Sequence, residues 1–191
     1  LCRIAVRYLP DPEKVEREAR ELIETHPLQG LATKSLQDRE GRTVAEVGSI
    51  DSDLDGNVAF YMARDMGMSI PFLRAIIEKA ISTHRPSTAT LLDFLYAWPA
   101  FDAGGRGTLS AGLDAYLRGD FLVACHLFVP QIERALRNFL KMLDGPLYKP
   151  HRNGGLLLRD LNEILRDERI VAAIDSRVLR YLQVLLVDQR G

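Results

Sequence analysis

Apolar positions recur along this chain at helical rather than strand spacing over most of its length. Val15, Ala19, Leu22 and Ile23 follow Asp11-Pro12, a good N-cap with proline at the first helical position. The spacing predicts a helix over Asp11 to His26, ended by Pro27. Val58 to Met66 and Ser69 to Thr83 read as two helices, with Ser69-Ile70-Pro71 as a stop and restart between them. Ser87 to Trp98 and Ser110 to Leu117 read as two more. Gly119-Asp120 supplies a turn and an N-cap for a long helix over Phe121 to Leu143, bent or interrupted at Pro130. Within it Ile132, Ala135, Leu136, Phe139, Leu140 and Leu143 form one apolar stripe. Gly145-Pro146 stops that helix. Residues 146 to 154 read as a polar loop, Leu156 to Leu165 as a short helix, and Asp175 to Val187 as the last one. Residues 28 to 56 are turn-rich. Two strand-like runs fit there, Thr43 to Val47 among them, but Gly41, Gly48 and Gly56 favour loops.

Helices joined by short turns imply an all-α protein built as a helical bundle. Gly104, Gly105 and Gly107 make the stretch from Pro99 to Thr108 read as a flexible connection. It is the expected boundary between a smaller, mostly helical region (1–103) and the bundle (104–191). A phosphate-cradling loop would need a Gly-Lys-Ser/Thr ending and a preceding strand, and neither is present.

Composition narrows the picture only a little. The chain is 47% hydrophobic and 27% charged with a net charge of −1, so no global basic excess points to nucleic acid. A local basic cleft would still serve an RNA. No apolar run approaches the roughly 18 residues a membrane span needs. The two cysteines, Cys2 and Cys125, are far apart, and Cys125 in its apolar stretch reads as a buried free thiol. With no signal peptide, the expectation is a reducing cytoplasm. The chain begins Leu1-Cys2-Arg3 and stops at Gly191 directly after an apolar helix, the pattern of a piece of a longer protein. No cofactor is implied.

Candidate chemistry is sparse. Asp51, Asp53, Asp55 and Gly56 match the start of a calcium-binding loop, but its twelfth position holds Ala63 instead of a bidentate Glu. The ordinary reading, an acidic turn capping the following helix, is preferred, and no metal site is expected. None of the four histidines forms a metal-ligand pair. His126 lies on an otherwise apolar helix, which fits a core histidine with satisfied hydrogen bonds or, alternatively, a site residue. Glu133 and Arg137 are spaced as an i,i+4 pair. With Gln131 they flank the apolar stripe, where a cleft at the edge of the bundle would meet them.

Tyr116, Gly119, Asp120, Phe121, His126, Pro130, Gln131, Glu133 and Arg137 stand in the pattern Tyr-x-x-Gly-Asp-aromatic…His-x-x-x-Pro-Gln-x-Glu-x-x-x-Arg. This resembles domain-of-unknown-function family 4209, and the likeness extends over about residues 105–191, with a weaker one over about 28–62. The resemblance implies a HEPN-like helical domain (higher eukaryotes and prokaryotes nucleotide-binding). Its hallmark Arg-Asn-x-x-x-His segment is expected after residue 191, together with a last helix. It further implies a homodimer and a metal-independent endoribonuclease or RNA-binding protein, with histidine as acid/base and arginine stabilising phosphorane charge. His126, Gln131, Glu133 and Arg137 would then line the cleft. A non-catalytic helical interaction or regulatory module is the alternative.

Overall fold

The computed structural model describes residues 9–188; residues 1–8, Cys2 among them, and the terminal Gln189-Arg190-Gly191 lie outside them. Those residues are mostly helical, with two small two-stranded antiparallel hairpins. The expectation of an all-α helical protein holds. The elements are α1 (Pro12–Thr25), α2 (Pro27–Leu31), β1 (Lys34–Gln37), β2 (Thr43–Val47), α3 (Leu54–His84) and α4 (Thr88–Tyr96). A 3-10 turn (Ala103–Gly105) leads into α5 (Arg106–Leu117) and α6 (Phe121–Met142). Then come β3 (Tyr148–Pro150), β4 (Leu156–Leu158), α7 (Leu161–Leu165), α8 (Glu168–Ala173) and α9 (Ser176–Leu186).

The contacts divide the chain into two compact units, residues 1–77 with 174–191, and residues 78–173. The division therefore falls inside α3, not at the glycine-rich stretch near residue 103. The last helix also belongs with the first unit. In that unit Val15 of α1, Val58, Ala59, Met62 and Met66 of α3, and Val184 of α9 form one buried cluster, with Tyr181 packed against it. Burial raises the Tyr181 hydroxyl above its ordinary pKa. Arg180 ties α9 to the start of α3 through Asp55, at 2.6 Å. Periodicity shows that a helix has an apolar stripe but not which stripe it will meet, so α9 could not be assigned from its own sequence.

Three local expectations are corrected. The run Thr43–Val47 does form a strand, paired with Lys34–Gln37; Gly41, at φ 77°, makes the turn between them and does not dissolve the hairpin. Asn57, fully buried, fastens this hairpin to α3: its Nδ2 donates to the carbonyls of Gly48 (3.0 Å) and Asp53 (2.8 Å), and its Oδ1 accepts from Lys34 at 2.5 Å. Next, Ser69-Ile70-Pro71 does not break the chain into two helices, because α3 runs through with Pro71 inside it. Proline removes one N–H, but the turns on either side continue the ladder, and Ser69 Oγ donates to the Asp65 carbonyl at 2.9 Å. Finally, Leu156–Leu158 is a strand paired with Tyr148–Pro150, closed by Gly154 and Gly155 at φ 84° and 86°. The helix begins only after Asp160, whose carboxylate and Glu163 form a reciprocal capping box.

In the second unit α5 and α6 pack closely. A Cβ on Gly112 would come 2.7 Å from the Phe128 ring, so glycine is what allows the approach. Leu92, Leu109 and Leu113 form the buried cluster there, with Phe128 and Phe101 against it. α6 is continuous through Pro130. It ends in a Schellman motif: Gly145 N–H donates to Leu140 (2.9 Å) and Asp144 N–H to Lys141 (3.1 Å). The left-handed residue is Asp144 (φ 54°), not Gly145. Gly145 is needed for space, since a Cβ there would lie 2.1 Å from Leu140 Cδ1.

Candidate functional site

Polar chemistry in the second unit gathers on α6, where the structure separates residues that the sequence grouped. Gln131 faces the turn after α4. Its Oε1 lies so close to Gly105 that a Cβ on that glycine would be 2.5 Å away. Beside it Arg134 grips Asp102 through Nε and Nη2, at 2.8 to 3.2 Å. Asn138 Nδ2 donates to Asp102 (2.8 Å) and to the Ala100 carbonyl (2.9 Å). Asp102 also caps the 3-10 turn by accepting from Gly105 N–H. The Arg134 bonds, then the Asn138 bond, hold the Asp102 carboxyl below its ordinary pKa against a smaller opposing effect of burial. The glycine-rich stretch is thus a packed turn bonded to α6, not a flexible connection. Asp102, Arg134 and Asn138 were not anticipated; an acidic N-cap ahead of adjacent glycines was the available signal.

Glu133 and Arg137 lie on another side of α6 and pair at 2.5 Å, both partly buried. Arg137 also donates to the Arg159 carbonyl at 3.4 Å, and its buried Nε has no hydrogen-bond partner. Behind them Arg159 is the hub. It donates to Asp167 (2.6 Å), to the Pro146 carbonyl (3.1 Å) and to the Glu163 carbonyl (2.7 Å). Burial alone would push the Asp167 carboxyl up, but the bonds from Arg159 and the Arg169 N–H outweigh it and leave the group below its ordinary pKa. Lys149 closes the cluster by pairing with Glu163 at 2.5 Å, and that bond lowers the Glu163 pKa. These contacts tie α6, the β3–β4 hairpin and α7 together.

His126 is not a core histidine. It is exposed, and so is Cys125, which corrects the expected buried thiol. His126 precedes Glu133 by seven residues and Arg137 by eleven, so the three share one side of α6. It stands two turns before the pair, and Gln131 points elsewhere. In the other unit, Asp53 caps α3 by accepting from Gly56 N–H (2.9 Å), and Asp55 is engaged by Arg180. Among the described residues, no group of three acidic, histidine or cysteine side chains is placed to hold a metal ion. Also among them, no helix is long and apolar enough to cross a membrane.

The apolar positions of α6 carry the more informative pattern. Leu122, Val129 and Leu136 repeat at seven residues, and Cys125, Ile132 and Phe139 interleave with them. This three-four alternation is the seam by which helices pair. Its C-terminal half is largely covered, with Leu136 at 4% exposure and Ile132 and Phe139 partly buried. Its N-terminal half is open, with Leu122 at 72% and Val129 at 46%.

No protein-family model matches the chain, and comparison with curated proteins and with solved structures finds no match either. Fold and side chains define a class only: a mostly helical protein whose second unit presents a long helix with half of its pairing seam uncovered.

Proposed function

We propose that the second unit is a non-catalytic helical interaction module, acting through the open half of the α6 seam. The observation that carries this reading is the contrast in exposure along one heptad stripe of one helix. A stripe at this spacing is a helix-binding surface, and a contiguous exposed apolar patch marks a contact site. The polar groups elsewhere in the unit support binding over turnover. Asp102, Arg134, Asn138, Arg159 and Asp167 are bonded to one another or to backbone carbonyls, as structural networks are.

Cross-linking mass spectrometry on the full-length protein, isolated with whatever it binds, tests this. Cross-links should concentrate at residues 122–130 and vanish in a Leu122→Glu variant whose helix content and melting temperature are unchanged. Cross-links that survive the substitution undiscriminated would remove the proposal.

A second reading, a HEPN-like metal-independent ribonuclease or RNA-binding protein, draws support from one observation: His126, Glu133 and Arg137 share a side of α6. Its requirement is RNA cleavage by the full-length protein without added metal, lost in His126→Ala and kept in Leu122→Glu. Equal cleavage by wild type and His126→Ala, or none by either, counts against it.

A further inference from the structure

We infer that the outer edge of β4 is a further docking site, which takes an extended segment of a partner protein, apolar with acidic flanks, as a third strand. It uses residues other than those of the α6 seam and does not depend on that reading.

Alternation along the strands places the side chains. Tyr148 pairs with Leu158 and Pro150 with Leu156, so these four share one face of the hairpin. All four are exposed, Leu156 at 72% and Tyr148 at 55%. Lys149 and Leu157 take the opposite face, and Lys149 ties that face to α7 through Glu163. The hairpin is thus held by one face, while the other is apolar and open.

Backbone bonds place the edges. Arg159 N–H donates to the Leu147 carbonyl at 2.9 Å, and His151 N–H to the Gly155 carbonyl at 3.1 Å. Bonded pairs in an antiparallel ladder fall at every second residue, so the N–H and C=O groups of Leu156 and Leu158 point away from β3. Among the described residues, β3 is the only strand paired with β4. The β3 edge is blunted, because Pro150 brings no N–H to its outward position. Open edges are ordinarily guarded by charge or proline, and the β1–β2 hairpin carries Lys34 and Glu46. β4 is short, but it is Leu-Leu-Leu with no such guard.

Two observations choose the occupant. A lipid surface would suit the apolar face, but it would leave the outward N–H and C=O groups of β4 without partners in hydrocarbon, where open sheet edges are not tolerated. An added strand bonds those groups and lays its own alternate side chains beside Leu156 and Leu158. Charge supplies the second property. From Gly145 to Arg159 the chain has Lys149, His151, Arg152 and Arg159 but no Asp or Glu, and His151 and Arg152 are exposed at the tip of the hairpin. Acidic residues flanking the apolar run of the incoming strand complement that tip.

The test selects binders of the full chain from a displayed library of random peptides about ten residues long, the reach of a strand with its flanks. Enriched sequences should carry apolar residues at every second position with Asp or Glu beside them. The leading peptide is then made synthetically and titrated by fluorescence anisotropy. N-methylation of one alternate set of its residues should weaken binding about fivefold or more, the factor for one lost hydrogen bond, while methylation of the other set should not. Leu158→Pro, which deletes one outward N–H and spares the β3–β4 ladder, should weaken binding by the same factor with helix content unchanged. Arg152→Glu should weaken it as well, and Val44→Glu, on the first hairpin, should not. A selection without alternating sequences, or a peptide indifferent to both methylation sets and to Leu158→Pro, overturns the inference. Phosphatidylserine vesicles that bind the chain but not Leu156→Glu, with no peptide selected, would replace it with a lipid surface. A dimer that Leu158→Pro dissociates would replace it with a second copy of the strand.

Discussion

Leu136 and Leu122 occupy equivalent positions on one helix, fourteen residues apart on the same side, yet one is 4% exposed and the other 72%. The difference does not come from the helix. Both halves of α6 have the same apolar repeat, and both continue past Pro130 without a break. It comes from what the rest of the unit supplies. The C-terminal half has Gly145 folded back over Leu140 and the Arg159 hub joining α6, α7 and the second hairpin. The N-terminal half has α5 on one side and nothing described over its seam. Equal local pattern with unequal cover is the observation on which the proposed interaction role rests.

Substitutions in the two halves should therefore differ in kind. One of the two largest effects is expected at the hub. Asp167→Ala removes the buried carboxylate partner of the partly buried Arg159 and should cost about 3 kcal/mol in urea unfolding, the low end of the range for breaking a buried pair. This contribution also has a pH signature. Because the folded pKa of Asp167 is depressed, its stabilisation is fully present above the unfolded-state value of about 3.9 and is lost as pH falls through the lower folded value. Melting curves of wild type should fall more steeply below pH 4 than those of Asp167→Asn. Parallel curves would show that this carboxylate carries no such linkage.

Next comes Leu140→Ala, which empties a fully buried site and should cost about 2–5 kcal/mol by the same measurement. Gly145→Ala should cost about 1–3 kcal/mol, because the added methyl meets Leu140 and the turn must open to admit it. Hydrogen exchange in the last turn of α6 should rise with it. The smallest stability effect belongs to the open half. Leu122→Ser should move the unfolding midpoint by no more than about 0.5 kcal/mol while weakening association. A large loss of stability there would mean that the seam is covered within the chain, and the comparison of the two halves would collapse.

Much of the helical content was legible in the chain. Asp11, Asp120 and Asp175 cap the helices that their positions announce, and the stripe from Ile132 to Leu140 is buried or partly buried as its spacing requires. The candidate site was legible only in part. Glu133 and Arg137 pair as i,i+4 spacing allows, while Gln131 turns to a different neighbour and His126 stands in the open. Asp102 and Arg134 lie thirty-two residues apart in sequence, and only folding brings them to hydrogen-bonding distance.

By itself the sequence determined, to within a residue or two, where α1, α4, α6 and α9 start and stop and which of their sides are apolar. Those properties depend on residues within a turn or two of each other, through capping bonds and the helical period. Tertiary structure alone decided that α9 joins the first unit, that the glycines near residue 104 are packed against α6, and which half of the α6 seam stays open. Each of these depends on which distant surface comes to lie against a given stripe, and the stripe carries no record of that.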